Sequence, residues 1–226
     1  MAPPSSNSLN LHFDVLPPQT RQAFEFLTNA EWLKDSTWYL AGGTALALQV
    51  GHRKSVDLDF FTTARSFDTN TLLSHFGGVQ SWKTDIEREN TVHGELFGAK
   101  VSFIAYPFFA PAERLLLQGA IRILTPPDIA VMKVIAVSQR GRKRDFVDLY
   151  WFFCNGSDLE ALLRRVKQQY PFVAHDYHHI LKSLVYFDDA EQDPMPETLF
   201  PVSWNEIKAF FMQEVPAAAK SLVELE

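Results

Sequence analysis

The stretch AGGTALALQVGHRKSVDLDFF, residues 41–61, constrains the fold more than any other part of the chain. Two glycines precede a short apolar segment. A basic turn follows, and then Asp57 and Asp59 stand one residue apart among apolar neighbours. STWYLAGG reads as a short strand ending on glycine, and TALALQVG as a helix of about two turns closed by Gly51. In SVDLDFF, Val56, Leu58 and Phe60 alternate with Asp57 and Asp59, the pattern of a strand with one buried face. Residues two apart on a strand face the same side, roughly 6.5–7 Å apart at Cα, so the two carboxylates can converge. Charges beside a core are costly unless something pairs with them, and a metal ion is the candidate partner. Magnesium prefers oxygen ligands and commonly binds through one or two carboxylates plus substrate phosphates. Glycines let backbone N–H groups approach a phosphate closely, and the following helix offers its N-terminus to negative charge. Gly42, Gly43 and Thr44 therefore form a candidate triphosphate cradle, with Thr44 adding a hydroxyl. Asp57 and Asp59 are the candidate metal ligands.

The rest of the chain permits a folded, ordered protein. It has 226 residues, 46% of them apolar, with 19 Phe and 5 Trp, which is ample for a core and argues against disorder. The N-terminal MAPPSSNS lacks a charged start followed by an apolar core, so no signal peptide is expected. No apolar run approaches the roughly 20 residues that span a bilayer. Cys154 is the only cysteine, which excludes disulfides within the chain and fits a reducing cytoplasm. Beside aromatics in WFFCNG it is expected to be a buried thiol. The net charge of −6 argues against a generic nucleic-acid coat. A local basic site remains open: Lys133, Arg140, Arg142, Lys143 and Arg144 fall within one acid-free segment.

Neither repeats nor long linkers interrupt the chain. PPQTRQAFEFLTNAEWL has helical spacing, DTNTLLSHF is a short helix, and VQSWKTDIERENTVHGELFGAKVSFIAY is β-structure with turns at Glu89-Asn90 and Phe97-Gly98. From residue 125 the character is helical. TPPDIAVMKVIAVSQ has Thr125 as cap and Pro126 at the first helical position. RDFVDLYWFF follows a turn at Gly141, SDLEALLRRVKQQY is capped by Ser157, and HDYHHILKSLVYF is a further helix. An acidic loop, DDAEQDPMPE, leads to SWNEIKAFFMQEV, which opens with a capping box from Ser203 to Glu206.

Each half of the opening stretch has a bland reading: Gly-Gly-Thr as a turn and helix start, Asp-x-Asp as a surface strand. In one order, with thirteen residues between Gly43 and Asp57, they are more specific. The arrangement resembles the nucleotidyltransferase superfamily, the polymerase-β-like enzymes, whose signature is an apolar residue, Gly-Gly or Gly-Ser, a spacer of this order, and Asp-x-Asp or Asp-x-Glu. The wording AGGTALAL…GHRKSVDLDFF resembles one branch, the AbiEii/AbiGii toxin family of type IV toxin–antitoxin and phage-abortive systems. The resemblance extends to PPDIAVMKVIAVSQRGRKRDFVDLYWFF, where that family carries a helical lysine and then an Arg/Lys-Asp-x-x-Asp-Leu element, and more loosely to PVSWNEIKAFFMQEV. It implies an α/β (α+β) fold, with a nucleotidyltransferase core and mixed sheet in residues 1–124 and a helical part in 125–226 that completes the active-site cleft.

By the same resemblance Asp57 and Asp59 hold Mg²⁺, or Mn²⁺ in its place, Lys133 faces the triphosphate or transferred group, and Asp145 is a further active-site acid. Read from the residues alone, Lys133 either snorkels to solvent or points into a polar cleft. Asp145 is equally an N-cap, with Asp148 near the positive helix end and pairing with an arginine. Arg53 and Lys54 meet phosphate or belong to a solvated turn, and so does RGRKR. His175, His178 and His179 have helical spacing but lack a clear third metal ligand. His52 is read as a turn residue. Many enzymes of the fold place a third carboxylate on a later strand. The matching strand here, AKVSFIAY, has Lys100, Ser102, Ile104 and Tyr106 on one face and Val101, Phe103 and Ala105 on the other, with no acid on either. Glu95 lies in the preceding strand. The usual general base is therefore missing unless Asp145 supplies it.

The expectation is a cytoplasmic Mg²⁺-dependent enzyme that moves a nucleoside monophosphate from a nucleoside triphosphate to an acceptor hydroxyl. The acceptor would be an RNA end such as tRNA, or a protein. In a toxin role it would arrest growth, relieved by a cognate antitoxin. The alternatives are a catalytically weak or inactive nucleotide-binding module of the same fold, and a structural role in which the aspartates pair with cations of the chain.

Overall fold

The computed structural model describes residues 10–174 and 176–223, with side chains through residue 220. MAPPSSNS and His175 lie outside the described residues. Seven strands, β1 (Tyr39–Ala41), β2 (Leu58–Thr62), β3 (Trp82–Arg88), β4 (Thr91–Leu96), β5 (Ala99–Ala105), β6 (Leu116–Gln118) and β7 (Ile121–Ile123), form one sheet in the order β3-β4-β5-β2-β1-β7-β6. The sheet is mixed. β2 runs parallel to β5 and β1 parallel to β7, and the other neighbours are antiparallel. The helices are α1 (Pro18–Thr28), α2 (Glu31–Lys34), α3 (Gly42–Val50), α4 (Thr69–Ser74), α5 (Pro126–Arg140), α6 (Lys143–Cys154), α7 (Leu159–Gln169), α8 (Tyr177–Ser183), α9 (Asp188–Glu191) and α10 (Trp204–Val223).

Alternation along β2 divides the sheet. Leu58 and Phe60 are fully buried on one side. Phe60 stacks on Phe103 of β5 with ring centroids 5.1 Å apart, and Trp32 of α2 and Phe76 close over the same ring at 6.0 Å. Large aromatic faces buried together dominate core energetics, so this packing holds β2 in register against β5. Asp59 and Phe61 point to the other side, where α3 and α5 wall a cleft. α5 packs against α3, α6, α7 and α8. Ile129, Ala130, Val131, Val134, Ile135 and Val137 are all buried, as in a helix apolar nearly all round. The division expected at residue 124 falls between β7 and α5, and one apolar cluster runs through both sides of it.

Several local expectations need correction. The second strand starts at Leu58 and leaves Val56 half exposed, because the Val56 carbonyl accepts from Thr20 Oγ1 at 2.8 Å rather than joining the ladder. The first helix breaks at Asn29-Ala30 into α1 and α2. The α7 cap is Asp158, whose carboxylate accepts from the Glu160 and Ala161 amides, not Ser157. Thr125 stands at the α5 cap position but makes no side-chain cap bond. Cys154, at the end of α6, is exposed. The hairpin β6–β7 has no counterpart in the sequence reading.

Candidate active site

The turn from β1 into α3 sets the geometry. Gly42 has φ +73°, a left-handed conformation that glycine adopts readily. A Cβ on Gly42 would lie 3.2 Å from Asp59 Oδ2, and one on Gly43 only 2.1 Å from Arg53 Nη2. The glycines thus let the chain close over two side chains that follow the helix. Ala41 pairs with Asp59 across β1 and β2, which brings Asp59 under the first turn of α3. Asp57 stands just before β2, with Leu58 buried between the two acids. The carboxylates therefore open on the same side, as alternation requires.

The Thr44 hydroxyl is committed within the chain. It hydrogen-bonds Ser55 Oγ at 2.7 Å and donates to the Asp57 carbonyl, tying α3 to the approach of β2. Asp59 is densely surrounded. Burial first, and then the Asp57 charge, push its carboxyl above the usual carboxylate range, while a hydrogen bond from Ser102 and the charges of Arg144 and Lys133 only partly oppose this. Among the described residues no cation lies within ion-pair distance of Asp59. Among the described residues the Asp57 carboxylate has one cationic partner, Arg144 Nη1 at 3.4 Å.

Beneath the acid pair lies a buried polar network that the sequence reading missed as a unit. Asp148 on α6 is its centre. Arg53 Nε and Nη2 donate to its two oxygens at 2.6 and 3.0 Å, His52 Nε2 lies 2.7 Å from Oδ1, and Lys133 Nζ lies 2.6 Å from Oδ2. Lys133 also donates to Asp145 Oδ1 at 2.6 Å, and Arg140 Nε reaches Asp145 Oδ2 at 3.3 Å. Burial alone would raise the Asp148 carboxyl. Arg53, Lys133 and His52 outweigh it and hold the group well below the usual carboxylate range. Burial lowers His52, against the pull of Asp148. Among the described residues His52 Nδ1 has no hydrogen-bond partner, which fits a neutral ring with its proton on Nε2, directed at Asp148.

The cleft above the network has a volume of about 380 Å³. Gly42, Gly43, Thr44, Asp57, Asp59 and Lys133 all line it, and Arg53 touches it from below. Arg140 and Arg144, from the basic turn, line it as well, whereas Arg142 is engaged by Asp193 at 2.6 Å. Two sequence candidates sit elsewhere. The Lys54 ammonium donates to the Asp14 carbonyl, away from the cleft walls. Asp145 is fully buried and meets the cleft only through Lys133 and Arg140. It is not a cap; Arg142 holds that position. Arg53 is largely spent on Asp148, so its charge reaches the cleft mainly through the network.

A family model described as "Nucleotidyl transferase AbiEii toxin, Type IV TA system" matches residues 26–110 and 100–224. The chain belongs to the AbiEii family. It is accordingly a nucleotidyltransferase. An uncharacterized protein of Aquifex aeolicus is 37% identical to this AbiEii chain over 205 residues, 88% of this chain and 96% of its own length. Two solved structures share the fold. MenT4, a nucleotidyltransferase toxin from Mycobacterium tuberculosis, has 17% identity and a TM-score of 0.56, covering 90% of this chain and 86% of its own. JHP933 from Helicobacter pylori has 18% identity and a TM-score of 0.55, covering 93% and 96%.

In this AbiEii protein the position beside Asp59 on β5 is Ser102, so that strand supplies no third acid to the cleft, and Glu95 is not among its walls. Among the described residues no group of three or more His, Cys, Asp and Glu side chains could hold a metal by itself. The pair Asp57 and Asp59 is an all-oxygen set of two, the donor type of a hard divalent cation that completes its shell with water and phosphate. The uncompensated Asp59 charge fits such a cation. Among the described residues no helix is long and apolar enough to cross a membrane, and His178 and His179 join no metal-binding group.

Proposed function

We propose that this enzyme transfers a nucleoside monophosphate from a nucleoside triphosphate to an acceptor hydroxyl and releases pyrophosphate. The observation that carries the reading is the convergence of two carboxylates, Asp57 and Asp59, with three cations, Lys133, Arg140 and Arg144, on one cleft. An acid pair alone would repel a triphosphate. Cations alone would bind one without a place for the metal that accompanies it. Asp57 and Asp59 would hold Mg²⁺ or Mn²⁺ together with phosphate oxygens. When bound, the cation supplies neutralisation of the charge that develops on the transferred group. Arg144 and Arg140 meet the outer phosphates, and Lys133, fixed by two carboxylates, presents its charge without reorganisation. The first-turn amides of α3 at Gly42 and Gly43 have no intrahelical acceptor, which suits them to phosphate oxygens.

The acceptor is an RNA end, such as that of tRNA, or a protein hydroxyl, and the same assay reads both. In a toxin setting such transfer would disable the acceptor and arrest growth until a cognate antitoxin intervened. Incubation with α-labelled nucleoside triphosphates, Mg²⁺ and total RNA is expected to label RNA. EDTA abolishes the label, and Asp57→Ala reduces it at least about a hundredfold. Label on protein alone would reassign the acceptor. Tight nucleotide binding with no label on any acceptor would sink the transferase activity and favour the inactive nucleotide-binding module for which the missing third acid speaks.

A further inference from the structure

Three residues form a straight row across the sheet on the cleft side. His93 on β4 pairs with Ser102 on β5, and Ser102 pairs with Asp59 on β2. Their side chains lie on one face in the same order. Ser102 stands beside Asp59 across the β5–β2 ladder, where its hydroxyl favours the Asp59 carboxylate, and His93 Nδ1 lies 2.8 Å from Ser102 Oγ. Donor inventory then links the roles. A hydroxyl has one proton. If it is directed at Asp59, the Ser102 oxygen can only accept from the ring, so Nδ1 carries the imidazole proton. With the hydroxyl so directed, the free lone pair of His93 is on Nε2, which has no hydrogen-bond partner among the described residues and is not sealed from solvent.

His93 opens onto two spaces that share the acid pair. One is the main cleft with Lys133, Arg140 and Arg144. The other, of about 310 Å³, lies toward β3 and has Asp85 and Lys100 in its walls but none of those three cations. A triphosphate belongs with the cations, which leaves the smaller space for the acceptor. We propose that His93 is a catalytic base for the acceptor: its Nε2 takes the hydroxyl proton in place of the absent third carboxylate, with Ser102 as the positioning residue. As the acceptor O–P bond forms, the bond from the α-phosphorus to pyrophosphate breaks. The proton passes to Nε2, and pyrophosphate leaves with the electron pair. A base whose Nδ1–H is held by an acceptor and whose Nε2 faces the substrate is the arrangement used for general-base histidines on other folds.

The inference rests on the nucleotidyl transfer proposed above, and His93→Asn separates the two. The Asn amide can keep the hydrogen bond that Nδ1 makes to Ser102, but no base remains at Nε2. The charged groups that share these two spaces with His93 are Arg53, Asp57 just before β2, Asp59 on β2, Asp85 on β3, Lys100 on β5, Lys133 and Arg140 on α5 and Arg144 on α6; all are retained. The variant is expected to bind a non-hydrolysable nucleoside triphosphate with Mg²⁺ as the wild type does, while transfer falls about 10²–10⁴-fold. The loss should fall on kcat with the KM for the nucleotide retained, and added imidazole should restore part of it. Ser102→Ala should reduce kcat less than His93→Asn does, with the KM for the nucleotide kept, and Ser102→Thr, which keeps the hydroxyl, should restore it. Transfer by His93→Asn at the wild-type rate would overturn the role of His93 and leave the transferase reading intact. Loss of nucleotide binding in step with transfer would make His93 structural and overturn it too. A wild type that neither binds nor transfers would remove both.

Discussion

Asp148 does not touch the cleft, yet it is the residue on which the cleft's charges depend. It is fully enclosed and met by Arg53, Lys133 and His52. A buried ion pair is costly to break, about 3–5 kcal/mol when one partner is removed, because the other charge is stranded. His52 is the member whose protonation changes near physiological pH. Its pKa in the fold is lowered, mainly by burial. The unfolded chain therefore binds the extra proton more readily. The stability contributed by neutral His52 is complete above the ordinary histidine value of about 6.5 and is lost as pH falls below it, with a limiting slope of about 1.4 kcal/mol per pH unit. The Asp148 carboxyl also contributes stability that is lost on acidification, but only below the ordinary carboxylate value of about 3.9, so the two limbs are separate. Urea unfolding at pH 7.5 and 5.5 should show the decline in the wild type. His52→Gln, which can still donate to Asp148 but does not titrate, should be flatter across that interval. An equal decline in the variant would place the effect on another group.

At the scale of elements, legibility in the sequence follows the range of the interaction. The turn β1–α3 and the strand β2 are readable because their signals are local: two glycines at a helix start, and alternation of Leu58 and Phe60 with the aspartates. The hairpin turns at Asn90 and at Phe97-Gly98 are readable for the same reason and have positive φ. So is the Ser203–Glu206 capping box, in which each backbone N–H meets the other's side chain. The three-residue strands β6 and β7 are too short for a period to register. The network around Asp148 is invisible for another reason: Arg53 and Asp148 are 95 positions apart, and no spacing rule joins them. Without it, Arg53 reads as a phosphate ligand and Asp145 as a cap. The turn between α5 and α6 carries both kinds of signal. Its acid-free composition is visible, but only the fold separates Arg142, held by Asp193, from Arg144, which leans on Asp57. Arg144 is about half exposed, and exposed pairs contribute little to stability, about 0–1 kcal/mol. Arg144→Ala should therefore leave the urea midpoint almost unchanged while weakening Mg²⁺–nucleotide binding, an effect that shrinks with added salt. Binding equal to wild type at low salt would remove Arg144 from the phosphate site.

For the whole molecule, the question is whether the sheet and the helices behave as one body. The composition change at residue 124 suggests two parts, and the cleft has walls from both. The buried apolar cluster is continuous from Leu11 to Ala218 and includes the strands and helices α5, α6, α7 and α10. Arg53 and His52 of the first part are bound to Asp148 of the second, with no solvent between them. Gln49 Nε2 donates to the Leu124 carbonyl at 2.9 Å, and the Leu124 amide to Leu40 at 2.9 Å, so the junction is itself bonded to β1 and α3. Separating the halves would expose the apolar face of α5 and strand charges that are worth several kcal/mol only when paired. Two bodies joined by a weak interface would unfold in two steps, whereas one shared core makes loss of either half destabilise the other. Tryptophans are present on both sides of the junction: Trp32, Trp38 and Trp82 before it, Trp151 and Trp204 after it. Fluorescence of variants keeping only one group reports on each half, and far-ultraviolet circular dichroism reports on all helices. The expected result is one coincident urea transition for all three signals, with the same midpoint and slope. A midpoint for the Trp151 and Trp204 signal displaced from that of the sheet would mean that the helical part unfolds by itself. The cleft would then be a surface between domains rather than a pocket cut into one core.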